Sequence, residues 1–411
     1  MDVKNTKRSS VLMMVFIVLL ILDLIIDPSN LIFKAKYFLF VITLLLWIFQ
    51  IIRKEIRLPK ELVVLVLFIS FFMPLYALSV GLLNNFLKNT NPGVIVYFSS
   101  FFFFTLTLVI VNRKIDLTKP FNIASLFIVL ITIGFYGVML INPLLFGSLY
   151  HYFVIDKQVA IYALRDFGGY PVLQMFYKTS PLLVFPLSYY LYQILIQGNV
   201  KLLFLKLTIL LSIIVTLFLS GTRANIVSLA LIILFYLSYY IYKKSKIAFV
   251  ILTGLYTLLA IYGLSIIGGI LFNATEISNL VKFGHFISYI EHFSDHIGQF
   301  IFGNGLGSSF YSYGINRITN VTELTYLELI RIWGMPISII FLLVLITPVL
   351  YEIKAKQLSH LFIAYIAYLF IAGTNPLLLS STGMIVLVYV FSNIMLRKTN
   401  DCRYFTLYLQ F

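Results

Sequence analysis

Runs of about twenty apolar residues, each long enough to cross the hydrocarbon core of a bilayer as a helix, recur from Ser10 to Leu396 in this 411-residue chain. This pattern limits the fold more than any other feature. Only 11% of the residues are charged, against about a quarter in an average soluble domain, so the chain lacks the polar surface to cover such runs in water. Transmembrane β-strands alternate apolar and polar residues in short segments. These runs are continuous, which excludes a β-barrel. The expectation is an all-α, polytopic integral membrane protein with about twelve transmembrane helices, forming a single membrane domain over residues 1–411.

The first six spans are read near Ser10–Ile26, Tyr37–Ile52, Leu62–Val80, Val94–Val111, Phe121–Ile141 and Ser180–Ile196. The second six are read near Leu202–Leu219, Ala224–Tyr242, Ile247–Leu271, Leu324–Leu350, Leu358–Gly373 and Leu377–Leu396. The basic stretch Met1–Ser10 has no small-residue cleavage site after it, so a first membrane helix is expected and not a removed signal.

The chain holds 30 Lys and Arg against 15 Asp and Glu, a net charge of +15. In a soluble protein this balance would raise nucleic acid as a partner. Here the placement of the charges accounts for it, and no nucleic-acid partner is expected. With the N-terminus inside, 20 of the 30 basic residues fall on the cytoplasmic side, in short segments such as Lys4–Arg8, Arg53–Lys60, Arg113–Lys119, Lys243–Lys246 and Arg397–Arg403. The remaining 10, among them Lys88, Lys282 and Arg331, fall outside. Spans alternate correctly under the positive-inside rule, and both termini are expected in the cytoplasm. The single cysteine, Cys402, excludes an intrachain disulfide and a cysteine-rich metal site.

Two longer segments, residues 142–179 and 272–323, then lie outside. Both carry Gly, His, Arg and aromatics. Long connections with little secondary-structure signal are commonly functional, so the active face is expected there.

Five features carry candidate chemistry. Ser220-Gly221-Thr222-Arg223-Ala224 joins two apolar helices by a tight turn, with Arg223 at the outer surface. Arg223 is either an interfacial anchor or an anion clamp, its planar guanidinium being suited to phosphate. Gly284 to Phe300 reads as an amphipathic helix with Phe286, Ile290, Phe293, Ile297 and Phe300 on one face and His285, His292 and His296 on its flank. Its histidines either sit at the headgroup level, act as bases or, as the pair His292/His296, bind a metal; the metal reading is the weakest and no metal or other cofactor is expected. Gly303, Gly305 and Gly307 form a flexible loop, either plain or presenting backbone N–H groups to an anion. Asn320-Val321-Thr322-Glu323 is either a helix-start signature or places Glu323 as an acid or base. Arg165-Asp166, in the first long segment, is either an internal pair or a second anion contact, and Arg317 is a third candidate. Asn273-Ala274-Thr275 and Asn320-Val321-Thr322 match the glycosylation sequon.

Three of these stretches resemble the O-antigen polymerase and ligase superfamily. Leu219-Ser220-Gly221-Thr222-Arg223-Ala224 is similar to its Ser-Arg turn. Phe302-Gly303-Asn304-Gly305-Leu306-Gly307 before Phe310, and Glu323 to Leu329 ending at Trp333-Gly334-Met335-Pro336, resemble the stretches around its large external loop. The resemblance implies a GT-C-like, metal-independent glycosyltransferase in the bacterial cytoplasmic (inner) membrane. It would act on undecaprenyl-diphosphate-linked glycans at the external face, with a flippase and a chain-length regulator as partners. It implies that Arg223, then Arg165 and Arg317, contact the diphosphate. Where ligases of the superfamily place a catalytic histidine this chain has Glu323, which points to a Wzy-type polymerase of O-antigen or capsular polysaccharide. Glu323, then His292 or His296, is the expected base. The alternatives are a flippase or other transporter, for which Asp23 is the main acidic residue within a span, and a ligase.

The alternation of basic loops generates a direct test. A membrane-impermeant maleimide added to intact cells, with any outer barrier permeabilised, should leave Cys402 unlabelled, and lysis should expose it. Labelling before lysis would place the C-terminus outside and invert every assignment of side.

Overall fold

The computed structural model describes residues 3–52, 58–86, 92–167, 170–255, 277–355 and 358–408. Within these ranges the side chains at 3–10, 50, 92–96, 165–167, 170–172, 277 and 399–408 are outside the description. Arg53, Lys54, Arg57, Lys88, Lys356, the sequon at Asn273 and the ninth expected span beyond residue 255 also lie outside the described residues.

Four helices are long and apolar enough to cross a membrane: Lys60–Leu83, Thr118–Ile141, Arg223–Lys244 and Met335–Ala355. Shorter apolar helices accompany them, among them Val11–Ile26, Lys36–Phe49, Tyr97–Arg113, Ser180–Ile196, Leu203–Leu219 and His360–Gly373. The chain is mostly helical, and its long apolar helices suit a membrane. The outward faces agree with that setting. Leu45, Leu130, Phe204 and Leu343 are all more than half exposed, and apolar surface on that scale marks contact with another apolar phase.

Helices suit such segments because each satisfies its own backbone groups where no water is at hand. The hydroxyls follow the same rule. Ser125 Oγ donates to the Phe121 carbonyl at 2.9 Å, Thr43 Oγ1 to Leu39 at 2.7 Å and Thr216 Oγ1 to Ser212 at 2.8 Å, each one turn back along its own helix.

The all-α expectation needs a correction. Two antiparallel hairpins are present among the described residues. β1 (Ala160–Phe167) pairs with β2 (Tyr170–Tyr177), and β3 (Phe310–Ser312) pairs with β4 (Arg317–Thr319). The segment 142–179 is therefore structured, as helix Pro143–Tyr150 followed by β1 and β2. Two expected helices are also broken. The stretch Gly284–Phe300 divides at His296 into helices Ile277–Asp295 and Ile297–Phe302. The expected span Leu324–Leu350 divides at Gly334, whose φ is +77°, into helices Thr325–Trp333 and Met335–Ala355.

The β1–β2 hairpin is fixed at its base to the first helix. Tyr177 donates its hydroxyl to the Ile26 carbonyl, and Thr179 Oγ1 donates to the Ile25 carbonyl at 2.8 Å. The loop that follows that helix is itself rigid. The Asp27 carboxylate accepts the backbone N–H groups of Leu31 at 2.9 Å, Ile32 at 2.8 Å and Phe33 at 2.8 Å, and Ser29 Oγ donates to the Lys157 carbonyl at 2.8 Å.

The glycine loop is packed and not flexible. Four of its N–H groups go to backbone carbonyls: Gly303 to Gln299 at 2.7 Å, Asn304 to Arg331 at 2.7 Å, Gly305 to Ile332 at 3.1 Å and Leu306 to Ala77 at 2.8 Å. The N–H groups of Gly303 and Gly305 are thus engaged within the fold and are not presented to an anion. The glycines instead let the loop lie flat on helix Lys60–Leu83. A Cβ on Gly305 would stand 2.1 Å from the Gly81 nitrogen, and its φ of +78° is already unfavourable for other residues. Backbone strain and overpacking together predict that Gly305→Ala costs about 3 kcal/mol. A clear fall in the thermal midpoint of detergent-solubilised protein is the expected measurement.

Candidate functional site

Among the described residues, one cleft at the hairpin end of the helices collects charged side chains from segments far apart in the chain. Its volume is about 680 Å³ including space open to solvent. Ile161, Gln174 and Phe176 of the β1–β2 hairpin form one wall, Thr222, Arg223 and Ala224 another, and Ser278, Lys282, Glu323, Thr374 and Asn375 the remainder. Two of the sequence candidates, Arg223 and Glu323, therefore meet here.

The Arg223 side is built from the tight turn. Gly221 adopts φ +61°, and a Cβ there would lie 2.4 Å from Gln174 Oε1, so the turn can approach the hairpin wall only with glycine. Buried Asn225 holds the turn from below, its amide donating to Ser220 Oγ at 2.9 Å and to Ser180 Oγ at 3.1 Å. Arg223 is then the first residue of helix Arg223–Lys244 and donates Nη1 to Asn279 Oδ1 at 2.7 Å. That first turn has no acidic residue, and Thr222 makes no side-chain capping bond. A guanidinium beside the positive end of a helix dipole is opposed by about 0.3–1 kcal/mol.

Lys282 supplies a second cation. Its Nζ lies 3.7 Å from Glu323 Oε2, with both side chains part-exposed. Pairs of this kind are worth about 0–1 kcal/mol, so the contact is readily exchanged for a stronger one. Glu323 does not complete a helix-start signature. Helix Thr325–Trp333 begins two residues later, and its preceding residue Leu324 makes no side-chain cap. The carboxylate is left to face the cleft.

What holds Glu323 in place is a buried network that sequence reading did not single out. Arg331 and Glu328 are both 1% exposed. Arg331 Nε donates to Glu328 Oε2 at 3.0 Å, and Nη2 donates to Glu328 Oε1 and, at 2.8 Å, to the Asn320 carbonyl. Nη1 donates to the Ser308 carbonyl at 3.0 Å and to Ser308 Oγ. The Tyr289 hydroxyl donates to Glu328 and receives the Thr322 hydroxyl at 2.7 Å. Burial, and then the Glu328 charge, push the Tyr289 phenol up, so it stays a donor. The signal available in sequence was the i, i+3 spacing of Glu328 and Arg331.

The other candidates fall elsewhere. Neither His292 nor His296 lines the cleft. His292 accepts from Asn304 Nδ2 at 2.8 Å and packs on Phe310 with centroids 5.7 Å apart. Burial and then the Arg331 charge pull it below its usual value, so it is neutral near pH 7. His296 is exposed at the helix break. His285 is buried, 2.6 Å from Ser312 Oγ. The helix Ile277–Asp295 thus turns its His285–Ser288–Tyr289 face inward and exposes Phe283, Phe286 and Ile290, the reverse of histidines held at a headgroup surface. Arg317 is exposed in β4, off the cleft. Arg165 lies in β1 opposite Val172, with its side chain outside the described residues. Among the described residues no group of three or more His, Cys, Asp or Glu is placed to hold a metal.

Breaking a buried ion pair strands a charge at a cost of about 3–5 kcal/mol. Glu328→Gln is therefore expected to lower the melting temperature of the purified protein sharply, while Arg317→Ala, an exposed change, stays within about 0.5 kcal/mol of wild type. Equal melting curves for the two variants would remove the network from its structural role. No family model, no curated protein and no solved structure matches the chain.

Proposed function

We propose that the protein is a membrane glycosyltransferase that extends lipid-diphosphate-linked glycans, a Wzy-type polysaccharide polymerase working at the external face of a bacterial cytoplasmic membrane. The observation that carries this reading is the meeting of Arg223, Lys282 and Glu323 in one cleft. Two cations and a carboxylate are what the reaction requires. The donor is a glycan on a lipid diphosphate, in this reading undecaprenyl diphosphate, and the acceptor is a sugar hydroxyl on a second lipid-linked repeat unit.

The hydroxyl oxygen attacks the anomeric carbon of the donor sugar. A C–O bond forms as the bond from that carbon to the diphosphate breaks, and the electron pair leaves on the diphosphate oxygen. Glu323 accepts the hydroxyl proton. Arg223, aided by the helix N-terminus and Lys282, stabilises the charge that grows on the leaving group. Glu323 at the cleft and both histidines off it favour the carboxylate as base, and with it a polymerase over a ligase.

A second reading, transport of the lipid-linked glycan, is favoured by Asp23. This carboxylate is 5% exposed within the first helix, and neither oxygen has a hydrogen-bond partner. Ionisable groups within spans commonly mark transport pathways.

The product separates the two readings. Purified protein in liposomes, given lipid-diphosphate-linked repeat units and no nucleotide sugar, should form a ladder of longer lipid-linked glycans. Arg223→Ala should abolish the ladder, and Arg223→Lys should restore little, because an ammonium lacks the planar fork. Glu323→Gln should slow it by about a hundredfold or more, as expected for loss of a general base. Sided movement of unextended units, without extension, would establish transport instead.

A further inference from the structure

We propose that helices Ile277–Asp295 and Ile297–Phe302 lie in the leaflet on the cleft side of the membrane, with Leu280, Phe283, Ile287 and Ile290 against its acyl chains. This contact is independent of the chemistry proposed for the cleft.

The longer helix is amphipathic in an inverted sense. Its polar face is turned to the protein. His285 lies 2.6 Å from Ser312 Oγ, Ser288 Oγ accepts the Tyr313 N–H at 2.8 Å, and the Tyr289 hydroxyl reaches Glu328. The opposite face carries Leu280, Phe283, Ile287 and Ile290, spaced three and four residues apart and so aligned along one side. Phe283 is 63% exposed and Leu280 53%. A helix on a soluble protein turns its apolar stripe to the core. This one turns it away, as contact with an apolar phase requires.

The short helix fixes the depth. Its last carbonyl, at Phe302, accepts the Tyr76 hydroxyl at 2.8 Å. Tyr76 belongs to the 24-residue helix Lys60–Leu83 and stands about 10 Å back from the Leu83 end at 1.5 Å per residue. That helix is about 36 Å long against a hydrocarbon core of about 30 Å. An excess of about 6 Å, even if all of it lay at the Leu83 end, leaves Tyr76 within the core. The apolar surface is continuous at this level. Tyr76 stacks on Phe72 with ring centroids 5.9 Å apart, and Phe72 and Phe302 are both exposed.

The far end fixes the direction. Asn279, in the first turn of the longer helix, accepts from Arg223, the first residue of helix Arg223–Lys244. A helix of 19 residues, about 28 Å long, therefore runs from the end of one crossing helix towards the flank of another. Its course is across the bundle, in the plane that interfacial helices adopt. Tyr311 of β3 and Tyr313 just after it are exposed side by side, with centroids 5.3 Å apart, and tyrosines of this kind gather at membrane–water interfaces.

Nitroxide labels test the placement. They are attached to Phe283→Cys and Ile290→Cys in a Cys402→Ser background. Leu130→Cys, on crossing helix Thr118–Ile141, and Arg317→Cys, in β4, are the references. All four positions are exposed, where substitution is tolerated, and melting curves check folding. The protein is reconstituted at low density in vesicles of phosphatidylethanolamine and phosphatidylglycerol. Relaxation by oxygen, which enters lipid, is compared with relaxation by a nickel chelate, which stays in water. The oxygen-to-nickel ratio at Phe283 and Ile290 should match that at Leu130 within about twofold and exceed that at Arg317 about tenfold. Ratios like that at Arg317 would put the stripe in water and overturn the proposal. Protection from both reagents, or spin–spin broadening between copies, would show protein covering the stripe and overturn it equally.

Discussion

The Arg331 guanidinium organises the end of the molecule that carries the cleft. A guanidinium has five N–H donors, and each finds an acceptor on Glu328, Ser308 or Asn320. Burying such a group is costly unless it is both paired and fully hydrogen-bonded. Meeting that condition ties three stretches together: the helix Thr325–Trp333, the turn after the glycine loop and the bend at Asn320 that follows β4. Tyr289 adds a fourth by reaching Glu328 and Thr322 from helix Ile277–Asp295. Glu323 follows Thr322 directly, and Lys282 lies two turns before Tyr289. Both ends of the cleft ion pair are therefore set by one buried clasp.

Close backbone approach supplies the walls. Gly305 on Gly81 and Gly221 on Gln174 are contacts that no side chain would allow. One seats the glycine loop on a long apolar helix, and the other seats the arginine turn on the β1–β2 hairpin. That hairpin is anchored through Tyr177 and Thr179 to carbonyls at the end of the first helix. Helices suited to a membrane thus hold a polar cleft in place without placing its charges along their lipid-facing surfaces.

Among the described residues, the cleft brings together Arg223, Lys282 and Glu323. In the proposed transfer from a diphosphate, leaving-group charge and a departing proton would be handled together by these groups. The same arrangement explains why histidines conspicuous in the sequence stand apart. His285 and His292 find partners in Ser312 and Asn304, and hold helix Ile277–Asp295 to β3 and to the glycine loop.

The membrane class, the apolar helices and the candidacy of Arg223 and Glu323 were legible in sequence, because hydrophobic run length and the chemistry of a guanidinium or carboxylate are local properties. The β1–β2 hairpin was not: residues 142–179 read as a long connection with little secondary-structure signal, and strand pairing joins residues that only the fold brings opposite one another. Nor were other features. Nothing local distinguishes Lys282 from any outer lysine, nor Gly305 in a packed crossing from a glycine in a loose turn. The face that helix Ile277–Asp295 buries depends on which neighbours offer partners to His285 and Tyr289, and in contact with lipid the apolar face is the one free to point away. Composition and periodicity determined what kind of protein this is and which groups could do chemistry; only the tertiary structure decided which of them share a cleft, because burial and pairing are settled by contacts between residues distant in the chain.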